Sequence, residues 1–316
     1  MSTYQFHVPK FKIRCSAIGK IMTEPKGKSV RQRLEEMAAD IEAKKAKLAE
    51  TKKANELRLA SMKEGLKTTE KAKESAAKAE GKLENQIKAL EEKYQELLPD
   101  IDAPNLSQIC IKFLEDWVNG HVYQRRIEVV TKYTYKGNAV EEDAIAYASG
   151  YIPEMGLSSK NEEHFENEFF KGTPDVIGED YVFDTKSSWS HDTFPLHSPE
   201  IPTEDYVWQV KGYMHLTGRR MARVVYVLMS MPDEMLYREA RWKLGQEFTK
   251  EEFDEWAKMY RYDELPPFLR IKEFEVVWNE DDIAAIEKRV KECRQYIEDV
   301  IKPELQKNVR RYGDDE

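Results

Sequence analysis

The sequence predicts an α/β fold, a central mixed sheet flanked by helices, with an inserted α-helical coiled-coil hairpin. Three observations carry this. Residues 29–98 are rich in Ala, Lys and Glu, have no proline between Pro25 and Pro99, and hold Tyr94 as their one aromatic residue, so strong helix formers dominate them. From residue 105 onward, helical periodicity alternates with short β-rich runs. A chain of 316 residues with 11% aromatics can bury a real core. The boundaries read from composition are a core segment at 1–28, the helical insertion at 29–99, the main core at 100–310 and an acidic tail at 311–316.

In chain order, Lys10 to Lys20 starts with the alternating run Phe11-Lys12-Ile13-Arg14 and continues as Cys15-Ser16-Ala17-Ile18-Gly19. Leu34, Met37, Ile41 and Leu48 begin an apolar stripe, which Leu59, Met62 and Leu66 resume after a polar gap. Leu83, Ile87, Leu90, Tyr94 and Leu97 then form a narrow coiled-coil seam. Arg31 to Asp100 holds 16 basic and 15 acidic residues, so the chain's surplus acid lies elsewhere. Folded as two arms of about 34 residues, the segment would project roughly 50 Å. Such an arm suits bracing a neighbouring subunit, holding a partner or touching duplex.

Beyond it, Leu106 to Trp117 has helical periodicity, and Lys136-Gly137-Asn138 reads as a turn that precedes a helix over Glu141 to Tyr147. Tyr181 to Ser187 is a strand. Thr203-Glu204-Asp205 starts a helix with an N-cap threonine and first-turn acids, and Gly218 stops it. Ala222 to Leu228 is a buried strand, Phe268 to Trp278 alternates as another, and Glu280 to Leu305 is a long last helix before the frayed Asp314-Asp315-Glu316.

A net charge of −9 excludes a protein that coats long DNA through a general basic surface, but leaves room for a local basic cleft. Cys15, Cys110 and Cys293 are too scattered for a zinc site or a disulfide framework and are expected as thiols in a reducing compartment. Met1 to Pro9 lacks the apolar stretch of a signal peptide and no run of about 18 apolar residues occurs, so a soluble, cytoplasmic protein with no membrane partner is expected.

Chemistry concentrates in one stretch. In a strand over Tyr181 to Lys186, Asp184 and Lys186 share a face, opposite Phe183 and Thr185. Alone, Asp-x-Lys is a common tripeptide that makes an exposed ion pair. Upstream, Gly172-Thr173-Pro174 leads into a second strand, Asp175 to Gly178, and a turn at Gly178-Glu179-Asp180 would fold it against the first. Asp175 then comes level with Asp184. Two converging carboxylates call for a cation, and oxygen-only ligands suit Mg²⁺ or Mn²⁺. Such an ion activates water and stabilises charge on phosphorus, with Lys186 orienting or deprotonating that water or screening charge. Glu141 or Glu142 is a further acid for the site, Glu141 the preferred one. Gln209 and Tyr213 stand four apart on one helix face, which by itself would be a packing pair.

Taken together, Gly-Thr-Pro-Asp, Asp-Thr-Lys and Gln-x-x-x-Tyr resemble the PD-(D/E)xK nuclease superfamily in its RecB-like branch. The Cys15-to-Lys20 segment and Gly137-x-x-x-Glu141 bring the resemblance to the lambda exonuclease and YqaJ-type viral recombinase group, over about 11–22 and 105–230. The resemblance implies a restriction-endonuclease-like core and a Mg²⁺-dependent exonuclease that digests linear double-stranded DNA from an end, usually 5′ to 3′. It implies work beside a single-strand annealing protein, in the host cytoplasm if phage-encoded, and a ring-shaped homotrimer. By carry-over, Asp175, Asp184, the Thr185 carbonyl and Glu141 hold metal, Lys186 is the catalytic lysine, and Gln209 supports the site. Ser16, Arg14 and Tyr213 meet substrate, with Lys10 and Lys12 as competing basic residues. The 29–98 insertion departs from the compact family form. An endonuclease of the same fold, or an inactive coiled-coil scaffold on it, are the alternatives; iron–sulfur relatives need four cysteines, and only 3 exist.

Overall fold

Among the residues described by the computed structural model (7–62, 67–127, 130–156 and 159–312), seven strands form two sheets. The smaller sheet joins β1 (Ile13–Arg14), β2 (Phe165–Glu166) and β3 (Phe170–Gly172), with β1 parallel to β3 and β2 antiparallel to it. The larger sheet has the order β4 (Val176–Ile177), β5 (Tyr181–Ser187), β6 (Met221–Val227), β7 (Ile271–Val277). Only its central pair, β5–β6, is parallel. The mixed sheet is therefore as expected.

A parallel pair needs a crossover, and α6 (Glu204–Thr217) supplies it. Its ends match the sequence signals: the Thr203 hydroxyl accepts from the Asp205 amide at 3.3 Å, and Gly218 takes a left-handed φ of 72°. On the sheet, Phe183, Val225 and Val227 pack with Ala144, Ile145 and Ala148 of α5 (Lys132–Ser149). Burying Phe183 completely contributes about 2–3 kcal/mol. Helices on both faces explain why β6 reads as a nearly continuous apolar run, Val224 to Val227 being buried in succession.

Helix α5 corrects one expectation. It starts at Lys132 behind a Thr131–Thr134 capping box, so Lys136-Gly137-Asn138 is helix interior and not a turn. Glu141 and Glu142 therefore do not open a helix. Residue preference for a turn was overridden by burial of Lys136 at 1% exposure. The last helix is also divided: α9 (Glu280–Tyr296) passes through a π turn at Ile297–Ile301 into α10 (Lys302–Tyr312). The acidic end, 313–316, lies outside the described residues.

Residues Glu24–Ser107 form a compact unit of their own. It contains α2 (Val30–Ala60) and α3 (Lys67–Leu97) as an antiparallel pair of 31 residues each. Pairs Lys45–Glu91 at 3.0 Å, Lys52–Glu84 at 2.8 Å and Asn55–Glu80 at 2.7 Å step along the two helices in opposite directions. The polar gap is not an interruption: Thr51 and Asn55 occupy half-buried seam positions between Leu48 and Leu59. Leu66 lies outside the described residues. At the open end Arg31 binds Asp102 at 2.6 Å and Asn105 binds the Gly27 carbonyl at 3.3 Å, so the unit closes on itself. Among the described residues no helix is long and apolar enough to cross a membrane.

Two glycines in the other unit have opposite surroundings. Gly19, in α1 (Ile18–Met22), is so close to α6 that an added Cβ would lie 2.8 Å from the Asp205 Cα. Gly137 faces open space inside α5. Urea unfolding should therefore show Gly19→Ala destabilised by about 1–3 kcal/mol, and Gly137→Ala stabilised by about 0.5–1 kcal/mol.

Candidate active site

Strand pairing builds the site. Val176 faces Phe183 in the β4–β5 register, which sets Asp175 opposite Asp184 one step on. Asn161 holds the backbone there: its amide donates to the Asp175 carbonyl at 2.7 Å and its Nδ2 to the Pro174 carbonyl at 3.0 Å. Asp175 Oδ2 accepts from the Thr185 amide at 2.6 Å. In a strand the N–H and C=O of one residue leave toward the same edge, so the Thr185 carbonyl also faces the Asp175 side.

Asp184 is fully buried. Its Oδ1 accepts from Gln209 Nε2 at 2.9 Å, and the same Nε2 donates to the Tyr213 hydroxyl at 3.0 Å. Its Oδ2 stands 2.7 Å from Lys186 Nζ, an ion-pair distance, yet makes no hydrogen bond of acceptable angle. We take this contact as charge attraction, which leaves the oxygen free to accept another partner. Lys186 Nζ also lies 4.7 Å over the Tyr206 ring.

Electrostatics follow from burial. Desolvation first, and the charge of Asp184 second, push the Asp175 carboxyl up to about 7. Asp184 is raised too, by desolvation against the attraction of Lys186. For Lys186, burial disfavours the charge, but attraction to Asp184 and Asp175 prevails and holds the ammonium above its ordinary range. Burial also raises the Tyr213 hydroxyl and the Cys15 thiol, keeping them neutral.

Glu141 sits within electrostatic reach of Asp175 and Asp184, but its carboxylate is paired with Lys160. Among the described residues no group of three His, Cys, Asp or Glu side chains converges as a metal-binding cluster. The atoms here able to ligate a cation beside the Lys186 ammonium are carboxylate and carbonyl oxygens, and one of them, Asp184 Oδ2, is buried without a hydrogen bond. Such a donor set fits a hard divalent cation.

Cys15 anchors the amino-terminal segment beneath the site. Its thiol fills the space where Cβ atoms on Gly172 and Gly212 would fall, at 3.1 and 2.8 Å. Ser16 and Arg14 flank it and are exposed. Lys10 is paired with Glu168 at 2.7 Å and Lys12 with Glu166 at 3.3 Å, which leaves Arg14 as the basic residue there without an ion pair among the described residues. Tyr213 is corrected: at 5% exposure, with its hydroxyl held by Gln209, it buttresses the site instead of facing substrate.

Sequence reasoning missed Tyr206, Lys160 and Asn161. Tyr206 had a signal, since it precedes Gln209 by three on the same helix face. Lys160 and Asn161 lie in an irregular connection with no periodicity to expose them. The cysteines are buried thiols, and folding brings Cys110 and Cys293 to 3.7 Å across 183 residues, a proximity invisible in their spacing.

No protein-family model matches the chain, and no curated protein shows significant similarity to it. Among solved structures it shares its fold with a phage-related exonuclease from Haemophilus somnus 129PT, at a TM-score of 0.57 and 19% identity over 93% of this chain and 97% of that one. An alkaline exonuclease from Laribacter hongkongensis, LHK-Exo, aligns at 0.44 and 15% identity over 65% and 87%. In its dAMP complex the same protein aligns at 0.45 and 16% identity over 65% and 87%.

For the metal-free chain the pH dependence has a definite sign. A carboxyl raised from 3.8 to about 7 binds its proton more tightly when folded, so its stabilising contribution is complete below pH about 4 and is lost as pH rises through about 7. Asp175→Asn keeps an acceptor for the Thr185 amide without the charge. In EDTA it should equal the parent near pH 4 and melt above it near pH 8; equal melting temperatures at both pH values would refute the assignment.

Proposed function

We propose that the chain is a metal-dependent deoxyribonuclease of the PD-(D/E)xK type that hydrolyses phosphodiester bonds of linear double-stranded DNA from an end. The observation that carries this reading is the pairing of Asp175 with Asp184 on adjacent strands, with Lys186 and Gln209 on the Asp184 carboxylate. The shared fold with a protein described as a phage-related exonuclease supports the choice of exonuclease over endonuclease. Asp175, Asp184 and the Thr185 carbonyl would hold Mg²⁺ or Mn²⁺, with Glu141 as a further ligand once it leaves Lys160. The ion would supply Lewis-acid stabilisation of the phosphate and a bound water of lowered pKa.

The chain's own residues divide the remaining work. Lys186, held as an ammonium, screens charge on the phosphate and orients the attacking water, a role that suits it better than that of a base. Gln209 fixes the rotamer of Asp184, and Tyr213 fixes Gln209. Arg14 and Ser16, exposed beside the site, contact the phosphate backbone at the DNA end. A 5′ to 3′ polarity, a trimeric ring and a single-strand annealing protein as partner belong to the same reading.

The test uses the full chain with Mg²⁺ or Mn²⁺ and end-labelled linear, nicked and closed circular DNA. Linear duplex should be consumed from one end and closed circles spared. Asp184→Ala and Lys186→Ala should each lower the rate by about a hundredfold or more while the fold persists. Digestion of closed circles would move the protein to the endonucleases, and full activity of Asp184→Ala would remove the site assignment.

A further inference from the structure

Lys136 is 1% exposed, yet no carboxylate among the described residues acts on its ammonium, which burial alone perturbs. Its ammonium donates to three backbone carbonyls: Ser188 at 2.7 Å, Met229 at 2.8 Å and Trp189 at 2.9 Å. Three donors thus meet three acceptors. A buried cation without a counterion is expensive, and an apolar side chain at this helix position would avoid that expense. What an apolar side chain cannot do is join these three carbonyls.

Their location gives the join a consequence. Ser188 and Trp189 directly follow β5, and Met229 lies two residues past β6. The ladder between these strands makes a last rung where the Ser188 amide donates to the Val227 carbonyl at 3.3 Å. Beyond it the backbone carbonyls need other donors. Lys136 supplies them from α5, the helix that carries Glu141 five residues later, roughly 7.5 Å along its axis. One side chain therefore ties the Glu141 helix to the strand of Asp184 and Lys186.

We propose that Lys136 is a positioning residue for the candidate active site, setting the separation of Glu141 from Asp184 and Lys186 through its three carbonyl bonds. This rests on the nuclease reading of that site. Burial pushes the Lys136 amine down to about 8, so near neutrality it still has its full set of donors. Groups that orient the residues of a metal site typically change its affinity or activity by about 10–100-fold when lost.

Lys136→Met, Lys136→Gln and Asp184→Asn are compared with the parent for melting temperature, kcat and KM on linear duplex, and Mn²⁺ binding by calorimetry. Lys136→Met is expected to lower kcat about tenfold and to weaken Mn²⁺ binding several-fold, with KM for DNA within about twofold. Lys136→Gln, which keeps N–H donors on a shorter side chain, should fall between it and the parent. The proposal is overturned if a folded Lys136→Met keeps parental kcat and Mn²⁺ binding, or if KM rises in step with the fall in kcat. It is also overturned if neither variant folds, since Lys136 would then be an element of the fold alone. Asp184→Asn separates the two readings: should it retain full activity, the site itself is misassigned, whereas an inactive Asp184→Asn beside an unaffected Lys136→Met removes only the positioning role.

Discussion

Asp175 and Asp184 are forced together by the pairing of β4 with β5, and the neighbourhood is organised around their mutual repulsion. Each of the surrounding groups lowers that repulsion or holds it in place. The Thr185 amide bonds Asp175, Gln209 bonds Asp184, and Lys186 lies against the second Asp184 oxygen without fully satisfying it. The site thus gathers two desolvated acids around one ammonium.

The supporting layer uses neutral groups where further charge would be costly. Tyr213 and Cys15 lie under the acids, and burial holds both in their uncharged forms. Gln209 passes one amide N–H group's donors to Asp184 and Tyr213 together, so its orientation is fixed from two sides. The close approach that allows this depends on glycine at 172 and 212, where a Cβ would crowd Tyr213 and Ile18 respectively and the Cys15 thiol at both. Small residues thus let three distant segments, 13–17, 170–175 and 209–213, meet at one carboxylate.

Much of this was legible in the sequence because its signals are local. The Asp184–Lys186 alternation follows from strand geometry, the level placing of Asp175 from a short turn, and the ends of α6 from Thr203 and Gly218. What escaped was set by tertiary contact. Gly137 looked like a turn residue, but the buried Lys136 beside it belongs to the core and carries the helix through it. The spacing of Tyr213 from Gln209 read as a packing pair, which the structure shows, whereas the substrate contact that the resemblance implied is not open to a hydroxyl held inward by Gln209. Lys160 reaches Glu141 from an irregular connection whose composition holds no trace of that contact.

The insertion poses a final question, since Cys15 packs against Gly172 and Gly212 although a whole helical unit separates them in the chain. Joining distant segments through a flexible loop costs entropy that grows slowly with length, by about 0.6 kcal/mol for each doubling. Here the intervening residues Glu24–Ser107 are not a flexible loop but a unit that folds on its own contacts and closes its base through Arg31–Asp102 and Asn105–Gly27. Ion pairs such as Lys45–Glu91 and Lys52–Glu84 bridge α2 and α3, and the 16 basic and 15 acidic residues from Arg31 to Asp100 leave the unit close to neutral. Its seam is half polar, with Thr51 and Asn55 between Leu48 and Leu59, so the two helices are joined by polar contacts such as Asn55–Glu80 as well as by apolar ones.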